Sequence, residues 1–179
     1  GTGATTANLK GGLGSASLIL DNGITVGAIV AVNSFGAVSN GKGEPFFASP
    51  FEISKEFGGI EGQVRHDPSI LHLKLPSRNR ENTTIAIVAT DAKLTKAQAT
   101  RLATVSHDGM AQAIIPAHTP VDGDLVFAAS IGDKKLENPV EDELIIGHAA
   151  SVCLARAIAR GVYFATPKLK DTKPTFKDH

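Results

Sequence analysis

Two apolar runs near the start of the chain, "SASLIL" and "ITVGAIVAVNSFGAV", are split by Asp21-Asn22-Gly23. β-branched residues on either side of such a break predict two strands joined by a hairpin, with Asn22-Gly23 supplying the positive φ of a tight primed turn. Through residues 40–81 the apolar runs shorten while Gly, Pro and charges recur, which predicts a mostly irregular segment. "TTIAIVATD" then reads as a buried strand. "LTKAQATRLATVSHDGMAQAII" carries an apolar stripe of Leu94, Ala97, Leu102, Val105, Ala113 and Ile114 at helical spacing. Thr95, with Gln98 three residues later, makes a capping box at its start. "LVFAASIG" is another buried strand, and Pro139 opens a second helix through "VEDELIIGHAASVCLARAIARG". Glu141-Asp142-Glu143 suits the positive end of that helix, Arg156 and Arg160 lie near the other end, and Gly161 fits a C-cap. The tail "TPKLKDTKPTFKDH" reads as solvated and frayed. The order ββ, irregular, β, α, β, α predicts a layered α/β or α+β fold with largely antiparallel strands.

Composition narrows this picture without redrawing it. A length of 179 residues predicts a single domain, and 42% hydrophobic with 20% charged residues is globular. Eighteen basic and 18 acidic residues cancel, so no long-range field draws the chain to nucleic acid or an anionic membrane. No run of roughly 18 uninterrupted apolar residues predicts a membrane span. The lone Cys153 excludes an internal disulfide and suits a reducing, cytoplasmic setting. Six histidines show no zinc spacing, and no metal or organic cofactor is implied. His148 is expected in the core or an interface. Gly1 is not a natural initiator, and the first residues have neither a basic nor an apolar leader region. We therefore expect residues upstream of it.

Three stretches carry candidate chemistry. Asn82-Thr83-Thr84 stands at the mouth of a buried strand, behind a charged segment. The threonines can be ordinary strand residues, or part of a glycosylation acceptor. Alternatively, Asn82–Thr83 is a bond the protein cuts itself. In that case the freed Thr83 carries a hydroxyl nucleophile and an α-amine of reference pKa about 7.7–8.0 on one residue. A flexible segment running into a rigid strand is the geometry such cutting needs. "HTPVDGD" places Asp122 and Asp124 two apart, either as solvated turn carboxylates or as a pair that orients an ammonium group. "GTGATTANLKGGLGSAS" is glycine-rich around Lys10 but lacks the phosphate-loop order, so it is either a surface loop or a backbone approach to a substrate. Asn33, at the end of an apolar run, is a satisfied core amide or an oxyanion donor.

Taken together, "GTGATTANLKGGLGSAS", "VNSFG", "NTTIAIVATDAKLTKAQATRLATVSHDGMAQAI" and "HTPVDGD" occur in the order seen in the L-aminopeptidase/D-esterase family, which includes β-aminopeptidases and nylon-oligomer hydrolase. The resemblance covers residues 1–36 and 80–165. It implies an αββα sandwich of the N-terminal-nucleophile-hydrolase type, made as a precursor and cut before a Ser or Thr. By position it implies Thr83 as nucleophile, Asn82–Thr83 as the cut and Asn33 at the oxyanion. Lys10 would be the lysine of the glycine-rich stretch, and Asp122 and Asp124 would lie near the nucleophile's amine. Residues 1–82 would end a large subunit and 83–179 would form the small one. The expected activity is hydrolysis of amide or ester bonds in small peptides or oligoamides, by assemblies of several αβ units. The Asn-Thr junction and the Asp pair are closer to nylon-oligomer hydrolase, whereas the glycine-rich loop and first helix look like ordinary aminopeptidases. Family precursors are roughly twice this length, so a non-catalytic, fragmentary family member is the rival reading. Acetyl transfer from N-acetylornithine is a further alternative, though its Ala-Thr-Met context is absent.

Overall fold

The computed structural model describes residues 3–41, 43–74 and 82–177. The expected element order is present: β1 (Leu13–Ile19), β2 (Thr25–Ala31), a short 3₁₀ turn (Ser49–Phe51), β3 (Ile85–Ala92), α1 (Lys96–Ala113), β4 (Leu125–Lys134) and α2 (Pro139–Tyr163). The sheet runs β1-β2-β3-β4, antiparallel across the first two pairings and parallel between β3 and β4. The parallel pairing follows from the connection, because α1 carries the chain back across the sheet between β3 and β4. The fold is thus α+β with a mostly antiparallel sheet.

Alternation decides which face is buried. Val26, Ala28 and Val30 of β2 and Ala86 and Val88 of β3 point under the helices, where α2 supplies Ile146, Leu154 and Ile158. α2 is long and apolar enough to cross a membrane by composition, yet most of it is buried in this core. The other sheet face stays open and apolar, with Leu13, Ile29, Ile85, Ile87 and Phe127 all exposed. Among the described residues there is one sheet and one helical layer, and the open face is the side that a sandwich would cover.

α1 begins as its sequence requires, with Thr95 and Gln98 satisfying each other's backbone N–H groups. At the start of α2, the buried Asp142 accepts from the backbone N–H groups of Glu137 and Asn138 at 2.8 and 3.0 Å. Gly161 is not a C-cap: α2 continues to Tyr163. The glycine is there because β1 crosses it backbone to backbone. A Cβ on Gly14 would lie 1.9 Å from Ala157 O and 2.5 Å from Gly161 N. The glycine-rich stretch therefore serves close packing of β1 on α2. In the hairpin only Gly23 has positive φ, so the turn is a three-residue Asp21–Gly23 loop and not the primed two-residue type.

Further expectations change. β2 ends at Ala31, and beyond it Ser34 Oγ donates to Gly36 O. Of the two places expected for His148, the core is excluded, because the residue is exposed on α2. The tail is anchored rather than frayed: Phe176 packs 4.4 Å from Phe46, Thr175 is buried, and Lys10 N donates to Pro174 O. Residues 43–74 are irregular as expected, yet they drive Phe46 and Phe57 into the core. Their Glu56 receives Arg156 at 2.5 Å and Arg160 at 2.7 Å. Burial pushes the Glu56 carboxyl up, but the two guanidinium groups outweigh it and hold the carboxyl below its usual range. Its stabilisation is therefore present above the unfolded value of 4.5 and is lost as pH falls through the lower folded value. Glu56→Gln should cost about 3 kcal/mol at neutral pH by leaving buried arginine charge unpaired. Urea unfolding of the two proteins should show that gap narrowing in acid.

Candidate active site

The site lies where the apolar pattern of β3 begins. Asn82 and Thr84 are buried and Thr83 is half-buried. The charged approach at residues 78–81 lies outside the described residues. Asn82 forms a parallel bridge with Asp122, extending the β3–β4 ladder by one step beyond the named strands. On the opposite side, Thr83 N donates to the Asn33 carbonyl at 3.1 Å, just beyond the end of β2. Thr83 is therefore gripped between the chain leaving β2 and the chain entering β4.

The two aspartates hold this junction in different ways. Asp124 Oδ1 accepts from Thr84 N at 2.8 Å. Its side chain is only 2% exposed, and among the described residues Oδ2 has no hydrogen-bond partner, with the His118 ring nitrogen 3.8 Å away. Burial, reinforced by the negative charge of Asp122, pushes the Asp124 carboxyl up, against the pull of Thr84 N–H and His118. Asp122 accepts from Phe35 N at 3.3 Å and from Thr119 N and Oγ1 at 3.1 and 2.7 Å. It pins the loop before β4 to the chain just after Asn33.

Asn33 Oδ1 accepts from Thr5 N at 3.2 Å and from Lys74 Nζ at 3.0 Å. Two donors on that oxygen fix which way the amide faces, with its NH₂ on the other side. Four candidates thus converge on one end of the sheet: Thr83, Asn33, Asp122 and Asp124. The structure does not bring the ammonium group of Lys10 to them. Lys10 Nζ donates to Thr166 O at 2.8 Å and pairs with Asp171 at 2.5 Å. The lysine that reaches Asn33 is Lys74, itself buried.

Sequence reasoning missed Lys74, whose only signal is a lysine set among leucines in "LHLKL". It also missed the histidine pair. His118, held at φ 55°, lies with its ring 4.8 Å from that of His107 of α1, tilted by 57°, and faces Asp124. Burial lowers the His107 pKa, and the neighbouring His118 lowers it further.

With this arrangement in view, the relatives fall into one class. Among solved structures, a β-aminopeptidase of Burkholderia sp. matches 90% of this chain and 44% of its own, with TM-score 0.56 and 26% identity. The L-aminopeptidase D-Ala-esterase/amidase of Ochrobactrum anthropi, described as a variant of the Ntn hydrolase fold, gives TM-score 0.56 at 21% identity and speaks for the fold alone. An uncharacterized aminopeptidase of Mycobacterium bovis is 37% identical over 192 residues, covering 99% of this chain and 54% of that protein. One of Mycobacterium leprae is 40% identical over 176 residues, covering 92% of this chain and 48% of its own. The sequence model of peptidase family S58 matches residues 1–173. The chain belongs to peptidase family S58, and it spans about half the length of the curated relatives it matches.

Proposed function

We propose that this chain carries the nucleophile of a self-processed amide hydrolase of the aminopeptidase type, with Thr83 as the attacking residue. The observation that supports it most is the convergence of Asn33, Thr83, Asp122 and Asp124, distant in sequence, on the junction at the head of β3. In processing, Thr83 Oγ1 bonds to the Asn82 carbonyl carbon, the Asn82–Thr83 C–N bond breaks, and the hydroxyl proton ends on the threonine nitrogen. Water then opens the ester, leaving an Asn82 carboxylate and restoring the Thr83 hydroxyl. The freed amine titrates near neutral pH and accepts the hydroxyl proton during attack on a substrate carbonyl, returning it to the leaving amine. Asn33 O remains the acceptor for that amine, while Asp124 fixes the adjacent residue. The Asn33 amide, positioned by Thr5 and Lys74, serves the oxyanion.

The relatives' names, aminopeptidase and beta-aminopeptidase, support peptides as substrates. A second reading, hydrolysis of oligoamides, is favoured by the Asn82-Thr83 junction and the Asp122/Asp124 pair. In the working protein, we propose that the remaining length typical of the relatives covers the open apolar sheet face. The cut large subunit would supply that cover, with αβ units assembling further. The test is a panel of aminoacyl p-nitroanilides and 6-aminohexanoate oligomers given to the full-length protein, with Thr84→Val beside the wild type. Thr84 Oγ1 is buried without a hydrogen-bond partner among the described residues. Removing it should leave cutting and turnover within about twofold and should not reduce stability. If Thr84→Val abolishes both while folded, the nucleophile has been assigned to the wrong threonine.

A further inference from the structure

We infer that Gly123 is a catalytic residue of self-cleavage: its amide N–H polarises the bond to be cut. This rests on the reading of Thr83 given above. Gly123 N donates to the Asn82 carbonyl oxygen at 2.8 Å. That oxygen takes the negative charge when Thr83 attacks, and a donor already aligned on it lowers the barrier without having to reorganise. The other half of the same peptide unit, Thr83 N–H, is held by Asn33 O at 3.1 Å. The scissile unit is therefore fixed from both neighbouring segments, its carbonyl from the β4 side and its N–H from the β2 side.

The identity of the residue points the same way. Glycine is usually required where φ is positive or backbones collide. Gly123 is not among the positive-φ glycines, and no backbone atom lies near enough to forbid a side chain. What a Cβ would meet is Thr83 Oγ1 at 2.8 Å, with Thr83 Cγ2 at 3.6 Å and Asn82 O at 3.7 Å. The space beside Gly123 is occupied by the nucleophilic oxygen. Gly123 is also exposed, which gives water a route to the ester that forms. Its neighbour in the ladder behaves differently: Thr84 N–H turns to the Asp124 carboxylate. The strand pairing is therefore modified at the junction itself.

The experiment follows cutting over time by denaturing intact mass in the full-length protein. It compares wild type, Gly123→Ala, and a chain in which in vitro translation installs an ester in place of the Asp122–Gly123 amide. The ester keeps the glycine's shape and replaces N–H by oxygen. Cutting should slow about 10²-fold in the ester chain, the scale for losing one oxyanion donor. A comparable loss is expected in Gly123→Ala, where the hydroxyl must move aside. The same changes on a Thr83→Ala background should leave cooperative melting intact. If Gly123→Ala does not fold, the ester chain decides. An ester chain that cuts at the wild-type rate overturns the inference. A wild type that never cuts overturns the reading of Thr83 instead, so the two failures are distinguishable.

Discussion

Thr83→Ala should give a folded chain that is never cut and does not turn over amide substrates. Removing the nucleophile of a hydrolase costs about 10⁶ in turnover, and here it also removes the group that makes the free amine. The cost to the fold should be small. Thr83 is half-buried, its N–H bond to Asn33 O is a backbone bond that alanine keeps, and its side chain rests against a glycine. A threonine that served only as a strand residue would give the opposite pattern: a loss of up to about 1 kcal/mol in stability and no change in mass or activity. Thr83→Ser should restore cutting, since the hydroxyl alone is required. Mass analysis and p-nitroanilide turnover on the same samples separate the two patterns.

Asp124→Asn should make the protein more stable and less active at neutral pH. The wild-type carboxyl holds its proton more tightly when folded than at its usual value of 3.8, because it is buried beside Asp122. Proton binding therefore favours the fold below that value, and the benefit is lost as pH rises through the folded value. Asparagine is neutral throughout, so the variant's advantage should be present at pH 7 and should vanish in acid. Cutting and turnover should fall about 10²-fold, the scale on which a slightly misplaced reacting group costs rate, because Asp124 positions the residue next to the nucleophile. Thermal melting across pH, set against cutting rate, checks both signs. A variant that loses activity only in proportion to lost stability would reduce Asp124 to a structural residue.

Much of this was legible in the chain. Apolar, β-branched runs marked β1 to β4, and the Thr95/Gln98 pair marked the start of α1. The spacing of "HTPVDGD" alone left two readings, and the family resemblance implied two carboxylates near Thr83. What was hidden depends on contacts that leave no period. Lys10 finds its anion 161 positions away, so nothing near it in sequence says that Asp171 will claim its charge. Phe176 sits in a tail of lysines, yet one aromatic ring meeting Phe46 is enough to anchor it. Gly123 looked like a turn residue, and only the position of Thr83 Oγ1 shows what its missing side chain leaves room for. Apolar letters recur at Val32, Phe35, Ala37 and Val38 beyond the end of β2, so its end at Ala31 leaves no clear mark in the sequence.

The most direct test of the central claim is denaturing mass analysis of the freshly purified full-length protein, with amino-terminal sequencing of each species. The account predicts two fragments divided at Asn82/Thr83, the second beginning Thr-Thr-Ile-Ala. A single uncut species that nonetheless hydrolyses an aminoacyl amide would contradict it.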